Sequence, residues 1–241
     1  MLLQSKTAIV YGAGHVGAAV AMAYAQHGAR VFLASRSPAR LDAASAAIHN
    51  DSGPPVQTAV LDVTDHAAAA AHAAQVADTT GAIDVVFNAV ANDDLQGTPL
   101  ARMELADVLQ PVAKAITTHF VISSVAASHM IPRRSGVVLA MAGGREAIPN
   151  LGGSHVAWSA LAGLCRQLAS ELSPHGIRVA WILSPGSPDP DDHPDPEAGA
   201  RLLNHRPRYI EVGAVAAFLA SDGAASMTAT EVNLTGGAVI D

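Results

Sequence analysis

The chain has 241 residues, half of them hydrophobic and 15% charged, with a formal charge of −7. This composition excludes a disordered or charged-coil chain, leaves room for one sizeable core, and argues against nucleic acid or an anionic membrane as a partner. A single cysteine, Cys165, rules out an intramolecular disulfide, and no apolar run reaches membrane-spanning length, so a cytoplasmic setting is expected.

Residues 7–10 form an apolar run that passes through a glycine-rich turn into residues 18–25, which read as a helix. Residues 30–35 read as the second strand and 38–48 as the helix after it. The third strand is expected at 56–61 and the third helix at 65–78, with Asp65 placed to cap it. A fourth strand covers 83–88. A long helical region follows at 105–130, which Pro111 should interrupt near its start. A fifth strand at 136–141, a helix at 155–172 and a sixth strand at 177–183 come next. The stretch from about 187 to 207 is rich in Pro, Asp and Gly and reads as a mobile loop or lid. A short helix at 212–220 and a strand at 231–234 close the chain. Continuous apolar strands alternating with helices predict an α/β, Rossmann-like fold: one domain over residues 1–241, a doubly wound parallel sheet with helices on both faces.

Gly12, Gly14 and Gly17 stand at G-x-G-x-x-G spacing between the first strand and its helix. That pattern suits a dinucleotide. Gly12 allows the tight turn, Gly14 lets the backbone approach a pyrophosphate, and Gly17 lets the helix pack closely. The amides of the helix start, with His15 and Val16, then face the phosphates. His15 either touches a phosphate or caps the helix. After the second strand comes Ser35-Arg36 rather than an acidic residue. An arginine there suits a 2′-phosphate, which favours NADP over NAD as the cofactor. Asp62 and Val63 end the third strand, where a carboxylate can meet an adenine amino group. Asn88, Ala89 and Val90 end the fourth, a polar residue followed by small ones that leave room for a flat cofactor.

The chain resembles the short-chain dehydrogenase/reductase family over nearly its whole length. The resemblance rests on the glycine turn, Leu61-Asp62-Val63-Thr64-Asp65, Asn88, Ser173-Pro174-His175-Gly176-Ile177-Arg178-Val179 and Ser184-Pro185-Gly186. The tail adds Phe218-Leu219-Ala220-Ser221-Asp222, Met227-Thr228-Ala229-Thr230 and Gly236-Gly237. It implies that Asp62 and Val63 contact adenine, Asn88 the ribose side, and Pro185 and Gly186 the nicotinamide side. It also implies an oxidoreductase acting on a small molecule, and a homo-oligomer, tetramer or dimer.

Departures from the family pattern bear on the chemistry. The glycine loop is one residue shorter than usual, and the N-N-A-G usual after the fourth strand is Asn88-Ala89-Val90-Ala91, which lacks the glycine. The family moves its proton with a Tyr-x-x-x-Lys pair and a serine. Here Ala157 aligns with the tyrosine, Leu161 with the lysine, and Ala142 or Gly143 with the serine. Nor does any Tyr-x-x-x-Lys occur elsewhere, since the only lysines are Lys6 and Lys114. Ser154 and His155 are the candidates that remain near the site, as carbonyl polariser and acid–base group; both also suit the start of a helix. Trp158 reads as wall or core. The histidines lack ligand spacing, so no metal is expected. The reading is an NADP-dependent oxidoreductase with a substitute proton donor; the alternatives are a lyase or isomerase, or an inactive cofactor-binding scaffold.

Overall fold

The computed structural model describes residues 1–50, 55–184, 202, 203 and 205–240. Strands β1 (Thr7–Tyr11), β2 (Arg30–Ser35), β3 (Gln57–Val60), β4 (Val85–Asn88), β5 (Gly136–Ala142), β6 (Ile177–Leu183) and β7 (Thr230–Asn233) form one sheet. Their order is β3-β2-β1-β4-β5-β6-β7, and every pairing is parallel. Helices α1 (His15–Gln26), α2 (Pro38–Asn50), α3 (His66–Thr80), α4 (Leu105–Met130), α5 (Ser154–Leu172) and α6 (Tyr209–Ala220) cover it on both faces.

The two-residue period of a strand explains both layers. On β1, Ile9 and Tyr11 join the core beneath α3, α4 and α5, while Ala8 and Val10 join the core beneath α1, α2 and α6. Ile9 lies beside Phe32 on one flank and Val86 on the other. Burying each such branched or aromatic side chain contributes roughly 1.5–3 kcal/mol. Val31, Phe32 and Leu33 are buried next to the glycine turn, as the sequence predicts. The outer strand β3 departs from the expectation of buried apolar runs: it has one neighbour and is mostly exposed.

From β1 the chain steps outward to β2 and β3, then returns past β1 to β4 and runs the other way. The carboxyl ends of β1 and β4 therefore border a crevice, the place where such sheets hold ligands. Above it, α1 and α6 pack at backbone distance: a Cβ on Gly213 would lie 2.5 Å from the Ala19 carbonyl oxygen.

Three local readings change. Pro111 does not interrupt α4, which runs unbroken from Leu105 to Met130. The proline is buried, and Gly153 leaves space over it, since a Cβ there would stand 2.8 Å from Pro111 Cγ. The buried inner face of α4 outweighs one missing helical hydrogen bond. Ser154 does not cap α5. Gly153 is the N-cap, and Ser154 is the first helical residue with its hydroxyl turned outward to a loop. The fourth strand starts at Val85, because Asp84 instead accepts from the Thr7 amide (2.8 Å) and from Arg133 (3.0 Å). Asp65 caps α3 as expected, accepting from the Ala67 and Ala68 amides.

Candidate functional site: a two-part cleft at the sheet edge

The glycine turn forms the floor of the crevice. Gly12 has φ +102°, and a Cβ there would lie 2.4 Å from the Ala89 carbonyl oxygen; one on Gly17 would lie 1.8 Å from the Gly12 oxygen. Both positions exclude a side chain for the sake of packing. Gly14 differs, because a Cβ there would meet nothing within 4 Å. Its backbone is open to an approaching ligand. The start of α1 has no acidic residue and no side-chain cap, an arrangement that suits an anion. His15 is exposed, beside the Tyr209 ring at 5.1 Å.

Two cavities open from this floor. The first, about 410 Å³, lies toward β2 and β3 and is lined by Gly12, Gly14, Ser35, Arg36, Asp62, Val63, Ala89, Val90, Arg40, Asp93 and Lys114, among others. Arg36 stands at its rim, 3.9 Å from Asp62 and 3.5 Å from Asp93. Asp62 is tied back on its own turn: the Thr64 hydroxyl (2.7 Å) and amide (2.9 Å) both donate to Oδ1. Those bonds, with Arg36 adding to them, hold its carboxyl below the usual range. Asn88 is buried and lines neither cavity. Its Nδ2 donates to Thr118 Oγ1 (3.3 Å) and its Oδ1 accepts from the Val90 amide (3.0 Å), so it shapes the 88–91 turn. Ala89 and Val90 line both cavities.

The second cavity, about 830 Å³, extends across β4 and β5 and is mostly apolar, with Met141, Ala142, Gly143 and Trp158 among its walls. Its polar lining includes Ser184 and Asp94 beside His15, Arg40, Asn92 and Tyr209. Ser184 is 2% exposed and its Oγ has no partner among the described residues. Asp94 is held at Oδ2 by the Ser154 hydroxyl and by Gln96 Nε2 (2.7 Å), and Gln96 also donates to Ser154 Oγ (3.2 Å). Oδ1 of Asp94 takes no hydrogen bond from the described residues.

This geometry corrects the helix register inferred from sequence. Ala157 and Leu161 are 0% and 3% exposed; Leu161 lies in the core beneath α5, and neither reaches the cleft. The α5 positions one turn apart that adjoin the second cavity are Ser154, through Asp94, and Trp158. Trp158 lies against Gly143, where a Cβ would fall 2.0 Å from the indole. His155 is half-buried and lines neither cavity. Pro185, Gly186 and most of the 187–207 loop lie outside the described residues. Sequence reasoning missed Asp93 and Asp94, noted Ser184 only as part of a motif, and noted Lys114 only as one of two lysines. No spacing rule marks them, since the fold gathers them from segments far apart in the chain.

Cys165 Sγ lies 3.3 Å from His119 Nε2; burial pushes the thiol up to about 12 and the imidazole down to about 4. Among the described residues no group of three His, Cys, Asp or Glu could hold a metal ion, and no helix is long and apolar enough to cross a membrane.

Comparison with known proteins agrees with this architecture. The family profile described as enoyl-(acyl carrier protein) reductase matches residues 12–239. A D-threitol dehydrogenase from Mycolicibacterium smegmatis is 30% identical over 99% of this chain and 94% of its own length. A short-chain dehydrogenase/reductase structure from Serratia marcescens superposes with a TM-score of 0.85 at 25% identity, covering 99% of both chains. An NAD+-bound xylitol dehydrogenase shares the fold, with a TM-score of 0.85 at 23% identity over 98% of this chain and all of its own.

Proposed function

The chain belongs to the short-chain dehydrogenase/reductase family of oxidoreductases, and we propose that it binds NADP(H) and interconverts an alcohol and a carbonyl on a small molecule, using a proton-transfer group other than the family's tyrosine. The observation that carries this reading is the open backbone at Gly14, which sits where the two cavities meet. A dinucleotide fits there with its pyrophosphate on the amides of His15, Val16 and Gly17 and its adenosine toward Ser35, Arg36, Asp62 and Val63. Ala89 and Val90 would floor the middle of the cleft. Arg36, with no acidic side chain in its place, supports NADP over NAD.

When bound, the nicotinamide supplies or accepts the hydride. The remaining work is proton transfer and orientation, which fall to this chain. In the oxidising direction a substrate hydroxyl loses its proton to Asp94 Oδ1 as its carbon loses hydride; in the reducing direction the same oxygen returns the proton. Ser154 is then a positioning residue that holds Asp94, and the unpartnered Ser184 hydroxyl is available to the substrate oxygen. Asp94 lines the cavity and His155 does not, so the proton is assigned to Asp94. Incubation with NADP+ and a panel of polyols, D-threitol and xylitol first, tests the reading through formation of the reduced cofactor. Turnover supports it; cofactor binding without turnover of any alcohol or ketone favours a non-redox enzyme or a scaffold. Trp158 supports that second reading, because its indole, which moves no proton at ordinary pH, lines the apolar cavity. The outer faces of α4 and α5 expose Leu105, Leu109, Phe120 and Val156, which supports a homo-oligomer. Light scattering on the purified protein checks this, and a monomer would contradict it.

A further inference from the structure

Asp93 has no part in the reading above, yet its position is unusual. It holds a left-handed backbone, φ 55°, in the loop after β4. Its Oδ2 accepts hydrogen bonds from Lys114 Nζ and from Arg36 Nη2 (3.5 Å). Lys114 comes from α4 and Arg36 from the end of β2, so two cations from different elements meet on one carboxylate oxygen. The Lys114 side chain is only 12% exposed. The lysine bond, with Arg36 adding to it, holds the Asp93 carboxyl below its ordinary range. All three residues line the first cavity. The cleft therefore contains a preformed anion site, and the protein's own carboxylate fills it.

We propose that Lys114 is a second phosphate-recognition residue beside Arg36, and that Asp93 is an internal anion which a ligand phosphate must displace. The inference rests on the NADP reading and goes further, to the residues that discriminate. Both cations reach the same oxygen, so one phosphate oxygen in its place meets both. A phosphate brings more charge than a carboxylate and more acceptor oxygens, so it can displace Asp93. A ribose hydroxyl brings neither and leaves the Asp93 clamp closed. Asp93 thus sets the threshold for ligands that carry the phosphate and leaves those that lack it unaffected.

The test is calorimetric titration of wild type, Asp93→Asn and Lys114→Met with 2′,5′-ADP and with ADP. Asparagine tolerates a left-handed backbone, so Asp93→Asn should fold, and Lys114→Gln repeats the lysine test with a polar side chain. Asp93→Asn should bind 2′,5′-ADP about tenfold more tightly, the size of one charge-assisted interaction. Lys114→Met and Lys114→Gln should bind it about tenfold more weakly while ADP affinity stays within about twofold. Unchanged or weaker 2′,5′-ADP binding by Asp93→Asn overturns the proposal, as does an equal loss of both ligands in the lysine variants. If wild type and Asp93→Asn bind neither nucleotide, the NADP reading itself fails. If wild type binds both equally, the dinucleotide site stands and the phosphate preference fails.

Discussion

Gly12 and Gly14 sit two residues apart, yet the fold uses them differently, and substitution separates the two uses. Gly12→Ala forces a side chain into a left-handed backbone and against the Ala89 carbonyl. It should cost at least about 2 kcal/mol of stability in a denaturant titration. Gly14→Ala meets no protein atom and should cost under about 1 kcal/mol, the size of a weakened cap. Its effect should fall on nucleotide affinity instead. Asp94→Asn should lower turnover by about 10²–10⁴-fold, the usual worth of a positioned acid or base, with cofactor affinity unchanged. Unaltered turnover would return the proton to another group. His119 offers a pH signature. Its folded-state pKa is depressed to about 4 by burial, so the stability it contributes is full above the unfolded value, near 6.5. That contribution is lost as pH falls from about 6.5 to 4, and amounts to on the order of 3 kcal/mol. His119→Met should flatten this part of the stability–pH curve relative to wild type. At this scale the sequence was informative where a backbone rule operates, as at Gly12 and Gly17. It was silent on Asp93 and Asp94, whose partners Lys114 and Ser154 lie 21 and 60 positions away.

Whole elements were the most legible part of the chain, because the signal for each is local. Apolar runs mark the inner strands, and Asp65 marks the start of α3. Asp65→Ala removes the acceptor for two amides and should destabilise the protein by about 1 kcal/mol, read from the denaturation midpoint. What sequence did not settle was the face of α5. An offset of three residues rotates a helix by about 300°, so the apolar pattern moves by only about 60° and looks nearly intact. The alignment with the family's pair put Ala157 and Leu161 at the catalytic positions, whereas the fold buries both, sets Trp158 in the cleft wall and bonds buried Ser154 to Asp94. Pro111 was misread for a related reason. Local propensity says that proline breaks a helix, but the decision belongs to the long buried face of α4 and the gap left by Gly153.

At the scale of the molecule, the strand order fixes where a ligand can go. Reversal of winding between β1 and β4 opens one crevice. The glycine turn floors it, one end holds opposing charges around Arg36, and the other is an apolar chamber with Asp94 and Ser184 in its walls. The proposed division of labour follows this layout: recognition of a nucleotide at the charged end, chemistry in the apolar end. The central claim is that the crevice binds a phosphorylated dinucleotide. Thermal-shift titration with NADPH, NADP+, NADH and NAD+ tests it most directly, because a ligand that binds only the folded state raises its stability with the logarithm of concentration. The account predicts a saturable rise with NADPH and NADP+ that exceeds any rise with NADH and NAD+. No rise with any of the four would contradict it.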